Sequence, residues 1–437
     1  MPNPISLAAW AALSVALSLN ISFAQPPGEW TLEQCLDSAF AASPQLKIRA
    51  HQRQAAEFEA DEMRATRLGS VGMSGAFSYT SETMSLDIAL PPLPGLTQPS
   101  VKFGDGKSYD FALTAVLPLY AGGALLSREQ GARAGAEAVT SDLSADSVRL
   151  AYDVRRAFFA ARGADTRWQV IIRSVSRLER HLKDLVEALK VGMASEEALL
   201  QARAALEQAH GSAITAEGEL REARLTLGNL VGQAGREVIP AEAMRGAVSM
   251  SLETDAWRSR PEISALASRL RQTDKQTAMA RGSLLPALSA MTAYHYARPG
   301  INAVKNDWMD YLVAGVNLSW TAWDFRTRSL RVEKGLAAAR ALEASRVQLE
   351  NGLLTQQRVA QSRIVAARDA LSATKERVRL VEQRYQLVDG AYRKGMRSET
   401  ELLDAEDDLR TAELELAAAE VRVRLAEADV IFATGRK

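Results

Sequence analysis

Leu189-Lys190-Val191-Gly192-Met193-Ala194-Ser195-Glu196 and Tyr392-Arg393-Lys394-Gly395-Met396-Arg397-Ser398-Glu399 are one turn written twice. Each glycine follows a long helix-forming run. A glycine there accepts the left-handed conformation that ends a helix, and Ser195 or Ser398 can cap the next one. Both stretches therefore read as tips of antiparallel helical hairpins. Gly192 and Gly395 are 395 − 192 = 203 residues apart. The same shift carries Tyr120 onto Trp323, Arg155 onto Arg358, Leu199-Leu200 onto Leu402-Leu403, Ala209 onto Ala412 and Gly232 onto Gly435. Further upstream, Ser43-Pro44-Gln45-Leu46 resembles Arg260-Pro261-Glu262-Ile263, now 261 − 44 = 217 residues apart. The first half thus holds 217 − 203 = 14 extra residues, expected near Pro91-Pro92-Leu93-Pro94-Gly95. Such internal repetition must be read before any local element.

Each half follows one order: helix, strand, loop, strand, very long helix, sharp turn, helix. The first helices are expected at 31–68 and 257–285. Strands are expected at 71–80, 108–119, 287–297 and 311–320, where apolar residues alternate, as in Val71, Met73, Phe77 and Tyr79. The long helices carry heptads: Leu143, Leu150, Ala157, Ala164, Ile171, Leu178, Leu185 in one half, and Ile364, Leu371, Val378, Tyr385, Tyr392 in the other. The return helix sets Leu402, Leu409, Leu416, Val423, Val430 against Ala405, Ala412, Ala419, Ala426, Ala433. These are packing seams, and the alanines allow close backbone approach. A helix from Gly122 to Lys190 would span about 100 Å. The return helix covers about half of that, and helix 31–68 supplies nearly the rest. Stacked end to end, the two shorter helices would match the long one, giving a rod with strands at one end and tight turns at the other. The chain divides into a signal peptide over 1–24, a first repeat over 25–232, a linker over 233–256 and a second repeat over 257–437.

Composition narrows the function. The charge is balanced, 53 Lys plus Arg against 53 Asp plus Glu, so no broad cationic face for nucleic acid is expected. With Cys35 alone, no intrachain disulfide is possible. Four scattered histidines, His51, His181, His210 and His295, read as surface or interhelical residues. There is no GxxxxGK[ST], HExxH or GxSxG motif, so neither an enzyme nor a cofactor is expected. An apolar run from Ile5 to Leu19, then Ser22-Phe23-Ala24, reads as a secretory signal cut after Ala24, although Met1-Pro2-Asn3-Pro4 lacks a basic residue. Beyond it no stretch of about 18 apolar residues occurs.

An exported chain without such a stretch is either soluble or crosses a membrane as β-strands. Four strands of barrel length cannot close alone, and open edges are not tolerated in lipid. Three copies would supply 3 × 4, about 12 strands. Tyr79, Tyr109, Tyr294, Tyr296, Trp308 and Tyr311 lie toward one end of the strands, and Tyr120, Trp320 and Trp323 toward the other, as two interfacial girdles would. The alternative from a different class is a periplasmic coiled-coil adaptor or scaffold with a small soluble β-subdomain.

At this point the chain resembles the TolC-type outer-membrane efflux channels. The resemblance rests on Leu32-Glu33-Gln34 with Ser43-Pro44, on Leu117-Pro118-Leu119-Tyr120-Ala121-Gly122-Gly123, and on the two glycine turns. It implies a mainly α fold with β: two tandem repeats forming a homotrimeric 12-stranded barrel in the lipid of the outer membrane, continuous with a periplasmic α-helical barrel. It implies a passive duct joined to an inner-membrane pump through a periplasmic adaptor, with one-step protein secretion as the alternative within that class. The tips Val191, Gly192, Met193, Lys394, Gly395 and Met396 are then where the adaptor docks. Tyr392, Arg397, Glu401 and Asp404 match positions that hold the periplasmic entrance shut or ring its lumen with acid. The family's gate-bonding aspartate falls at Ala198, a departure for which neighbouring Glu197 is the available substitute. Arg397 and Glu401 stand i and i+4, so an ordinary helix-surface ion pair competes with the gating role.

Overall fold

A computed structural model describes residues 28–83, 85–87, 100–102, 105–241, 255–302 and 305–436. The expected signal peptide, the Pro91–Gly95 cluster and residues 242–254 of the expected linker lie outside the described residues.

The first expected helix is two. α1 runs Leu32–Ala42 and α2 runs Pro44–Ala65, with a short 3-10 turn after it. Thr31 and Gln34 form a capping box at the start of α1. Pro44 has no N–H to continue α1 and pushes Ser43 to ψ 115°, out of the helical region. The Ser43 hydroxyl then caps α2. The second half breaks the same way, with Arg260 extended before Pro261, so α5 begins there and runs Pro261–Gly282. The long helices are α3, Ala124–Lys190, and α6, Thr327–Tyr392; the return helices are α4, Glu196–Leu230, and α7, Glu399–Ala433.

End-to-end stacking holds in both halves. Cys35 and Ala39 of α1 meet Leu227 and Val231, at the end of α4, against Val154, Phe158 and Ala161 of α3. The Ser38 hydroxyl donates to the Val231 carbonyl at 2.8 Å. In the second half, Arg260 donates to the Phe432 carbonyl at 2.6 Å, joining the start of α5 to the end of α7. The seam alanines Ala405, Ala412, Ala419, Ala426 and Ala433 are all buried. The α5–α7 column lies between α3 and α6, touching both, while α1, α2 and α4 lie on the other side of α3. α6 and the α2–α4 column are thus the two outer columns. Both leave apolar side chains exposed: Val365, Leu380 and Leu387 on α6, and Ile48, Phe58 and Ile214 on α2 and α4.

The main sheet is antiparallel in the order β1-β4-β5-β6, with β1 at Ser70–Tyr79, β4 at Lys107–Tyr120, β5 at Ala287–Arg298 and β6 at Met309–Ser319. β2, Ser85–Asp87, and β3, Ser100–Lys102, form a separate hairpin in the longer loop of the first half. The β4–β5 pairing joins the two halves, and β1 and β6 are left as edges. Side chains alternate between faces. One face is strongly apolar, with Met73 opposite Leu113, Leu113 opposite Tyr294, and Tyr294 opposite Leu312. At the end far from the helices, Trp308 stacks on Tyr296 at 4.8 Å and lies 5.7 Å from Tyr109. No described helix is long and apolar enough to cross a membrane.

The strand-to-helix junctions differ between the halves. Gly122 and Gly123 lead into α3 with φ 59° and 76°. The 203-residue shift places Phe325 and Arg326 at the same two positions before α6, and they adopt φ 51° and 71°. Left-handed backbone is strained for such residues. Asp324 braces the turn, accepting from the Arg328 N–H at 3.0 Å and its Nε at 2.7 Å.

Candidate functional site

The two tips close with the same chemistry. Gly192 has φ 75° and Gly395 φ 71°. The Gly192 N–H donates to the Leu189 carbonyl and the Met193 N–H to the Ala188 carbonyl; Gly395 and Met396 do the same to Tyr392 and Ala391. This pair of bonds satisfies carbonyls that a helix end leaves open. The Ser195 hydroxyl accepts from the Ala198 N–H at 3.1 Å. Val191, Met193 and Met396 stand exposed at the tips, an unusual place for apolar side chains, and Lys394 is exposed beside them.

Arg397 and Glu401 come together as an ion pair on the surface of the second tip. Glu401 also completes a capping box with Ser398, accepting the Ser398 N–H at 2.9 Å while the Ser398 hydroxyl accepts the Glu401 N–H at 3.3 Å. The Ser398 N–H and then Arg397 hold the Glu401 carboxyl below its ordinary pKa. Glu197 and Asp404 are exposed and make no hydrogen bond or ion pair among the described residues.

Tyr392 has different company. Its ring meets the His181 ring edge-on at 5.4 Å, and His181 Nε2 lies 2.6 Å from Glu399 Oε1. Glu399 is buried, and its Oε2 has no hydrogen-bond partner among the described residues. Burial, and then the neighbouring Glu399 carboxylate, push the Tyr392 phenol well above its ordinary pKa. His181 lies in the last turns of α3, which ends at Lys190, while Tyr392 ends α6 and Glu399 opens α7. The contact therefore ties the first helical hairpin to the second at their tips.

One turn further in, Arg177 reaches both Glu406, at 2.8 Å, and Glu413, at 3.2 Å, while the Ser174 hydroxyl donates to Glu406 at 2.8 Å. Burial raises the Glu406 pKa against the pull of Arg177. Arg177 and Glu406 were not singled out from sequence; His181 was read only as a surface or interhelical residue, which its contact with Glu399 makes interhelical, and Glu399 only as part of the repeated tip. Their signal was present: Glu399, Glu406, Glu413, Glu420 and Glu427 stand seven apart along α7. Seven-residue spacing keeps side chains on one helix face. Three of these glutamates are buried, which requires partners on facing helices.

The site is built of helix caps, ion pairs and apolar tips. Among the described residues no group of His, Cys, Asp or Glu is placed to hold a metal ion. Cys35 is buried in the α1–α3–α4 core, where burial pushes its thiol up to about 12.

The solved outer-membrane channel OprN is similar in fold, with a TM-score of 0.80, 21% identity, and coverage of 93% of this chain and 90% of that one. CmeC of Campylobacter jejuni matches with a TM-score of 0.78 at 15% identity, over 99% and 94% of the two chains. The open state of MtrE of Neisseria gonorrhoeae matches with a TM-score of 0.78 at 18% identity, over 93% and 89%. A search of curated proteins found no matching relative. The sequence profile described as outer membrane efflux protein matches residues 35–233 and 253–436, one stretch in each half. With most of its length covered by that profile, and with a fold shared end to end with solved channels, the chain belongs to the outer membrane efflux protein family, whose members are passive channels of the outer membrane.

Proposed function

We propose that this efflux channel works as a homotrimeric duct that receives its cargo from an inner-membrane pump through a periplasmic adaptor. The carrying observation is that both sides of the chain are unfinished in a matching way. β1 leads from α2, and β6 leads into α6. One side therefore offers the β1 edge with exposed apolar residues of α2 and α4; the other offers the β6 edge with those of α6. A head-to-tail contact between these sides pairs both edges, and rotation closes it into a ring. Three copies give 3 × 4, about 12 strands, within the range of known barrels. The apolar sheet face then meets lipid. The two repeats, 25–232 and 257–437 around the linker 233–256, act as two similar staves of each copy.

At the periplasmic end, the tips Val191, Gly192, Met193, Lys394, Gly395 and Met396 receive the adaptor. Tyr392, with His181 and Glu399, holds the two hairpins together in the resting state, and Arg397 and Glu197 complete the gate. Ala198 has no carboxylate to offer, so His181–Glu399 is the intrachain tie this gate has instead. Glu401 and Asp404 ring the entrance with acid, Arg397 partly neutralising Glu401. Crosslinking in native membranes tests the assembly: trimers are expected, and products that stop at dimers would exclude it. Single-channel recording tests the entrance. Glu401→Gln with Asp404→Asn is expected to weaken cation preference and block by trivalent cations; unchanged behaviour would put both acids outside the lumen.

A further inference from the structure

The face of the sheet opposite the apolar one carries small and polar residues, such as Ser74, Ser78, Thr114 and Asn317. Once the apolar face meets lipid, this face lines the water-filled lumen. Among its strand residues, even-numbered in β1 and β4 and odd-numbered in β5 and β6, only Asp110 and His295 can carry charge at neutral pH. They are held together. His295 Nδ1 lies 2.9 Å from Asp110 Oδ1, and the His295 ring stacks on Tyr311 at 4.9 Å, with 5° between the planes. Asp110 is the fourth residue of β4, and His295 the fourth from the end of β5, so the cluster sits just inside the rim far from the helices.

We propose that Asp110 and His295 form a proton-switched charge ring inside the outer mouth, which favours small cations when His295 is neutral and loses that preference when it is protonated. The ring rests on the trimeric-duct reading above. With neutral imidazole each copy contributes one carboxylate charge, and the trimer 3 × 1 = 3. An imidazolium pairs with its own Asp110 and takes the ring to zero. Histidine is the side chain suited to such a change near neutral pH. A pore wall lined by one sign of charge raises the local concentration of counter-ions. The groups around His295 leave this balance in place. From β4 it meets Asp110 and from β6 the Tyr311 ring; at the rim Asp105 and Arg298 lie 3.8 Å apart, and Asp310 sits on the lipid side near the Tyr294 hydroxyl. β1 places uncharged Ala76 opposite Asp110. Tyr311 fixes the imidazole plane, so that Nδ1 faces the carboxylate.

The test is planar-bilayer recording of the purified full-length channel under a potassium chloride gradient. Salt is kept at about 0.1 M or below, where screening extends over about 10 Å. Only the pH on the extracellular side is changed, which separates this ring from the acids at the periplasmic entrance. The cation-over-anion permeability ratio is expected to fall about twofold or more as outer pH drops from about 8 to about 5, across the range of histidine. Asp110→Asn is expected to lower the ratio at pH about 8 to the share that the acids of the periplasmic entrance supply. His295→Gln is expected to keep the preference and lose the pH response. Heat-resistant trimers, and equal unitary conductance at about 1 M salt where the wall charge is screened, exclude misfolding in each variant. Conductance steps whose selectivity ignores outer pH, or a response that persists in His295→Gln, would overturn the ring alone. A chain that gives no conductance steps would overturn the duct, and the ring with it.

Discussion

The two strand-to-helix junctions predict opposite responses to the same kind of change. Arg326 holds φ 71° where its counterpart is Gly123. A left-handed residue other than glycine costs about 1–2 kcal/mol. Arg326→Gly removes that strain but adds about 0.5–1 kcal/mol of backbone entropy. It also loses the Arg326–Glu333 contact at 3.3 Å, whose side chains are 68% and 60% exposed, worth about 0.5 kcal/mol at most. The net expectation is a gain of about 0.5 kcal/mol. Gly122→Ala runs the other way. Its new Cβ would lie 2.2 Å from the Gly282 carbonyl oxygen and 3.0 Å from Leu285 Cβ. Left-handed strain and a displaced backbone together cost about 3 kcal/mol or more. At Gly123 an added Cβ meets nothing within 4 Å, so Gly123→Ala loses only the conformational part, about 1–2 kcal/mol. Thermal scans of helicity on the detergent-solubilised protein, at one scan rate, read the order. Arg326→Gly should lie at or just above wild type, Gly123→Ala a few degrees below, and Gly122→Ala lowest. An Arg326→Gly midpoint clearly below wild type, or a Gly122→Ala midpoint equal to it, would refute the strain argument.

Gly192→Val and Gly395→Val should abolish export in resistance assays while trimers persist, because each tip is left-handed and open, with no atom within 4 Å of an added Cβ; normal resistance would mean that the tips are not docking sites. Arg177→Ala strands the buried Glu406 carboxylate and should cost about 3–5 kcal/mol, measured by thermal unfolding, with much of the loss recovered in a double variant carrying Glu406→Leu. Glu401 has a lowered pKa, so the stability it lends the tip is present above the ordinary carboxylate range and lost as pH falls through the lowered value. Hydrogen exchange at residues 398–402, corrected for intrinsic rate, should show that loss in wild type and not in Glu401→Gln.

Much of this architecture follows local periodicity, and periodicity was legible. Seven-residue spacing located the helix seams, two-residue alternation located the strands, and the glycine–serine pairs located both tips. Each depends on side chains a few residues apart. The breaks at Ser43 and Arg260 were equally local, since proline acts on its neighbour, yet the apolar stripes running across them read as single helices. The glutamate heptad of α7 was visible too, but its meaning depends on what faces it.

The sequence by itself determined the two repeats, the lengths of their long and return helices, the hairpin tips and a four-strand set that one chain cannot close. Only the tertiary structure decided that the α5–α7 column lies between α3 and α6, that β4 pairs with β5, and that Tyr392 meets His181 and Glu399 rather than Glu197. It also brought His295 and Asp110, 185 residues apart, to one point on the lumen face. The physical reason is that a repeat pattern specifies which side of an element must be covered, whereas its partner is chosen by summed burial and pairing among residues far apart in the chain.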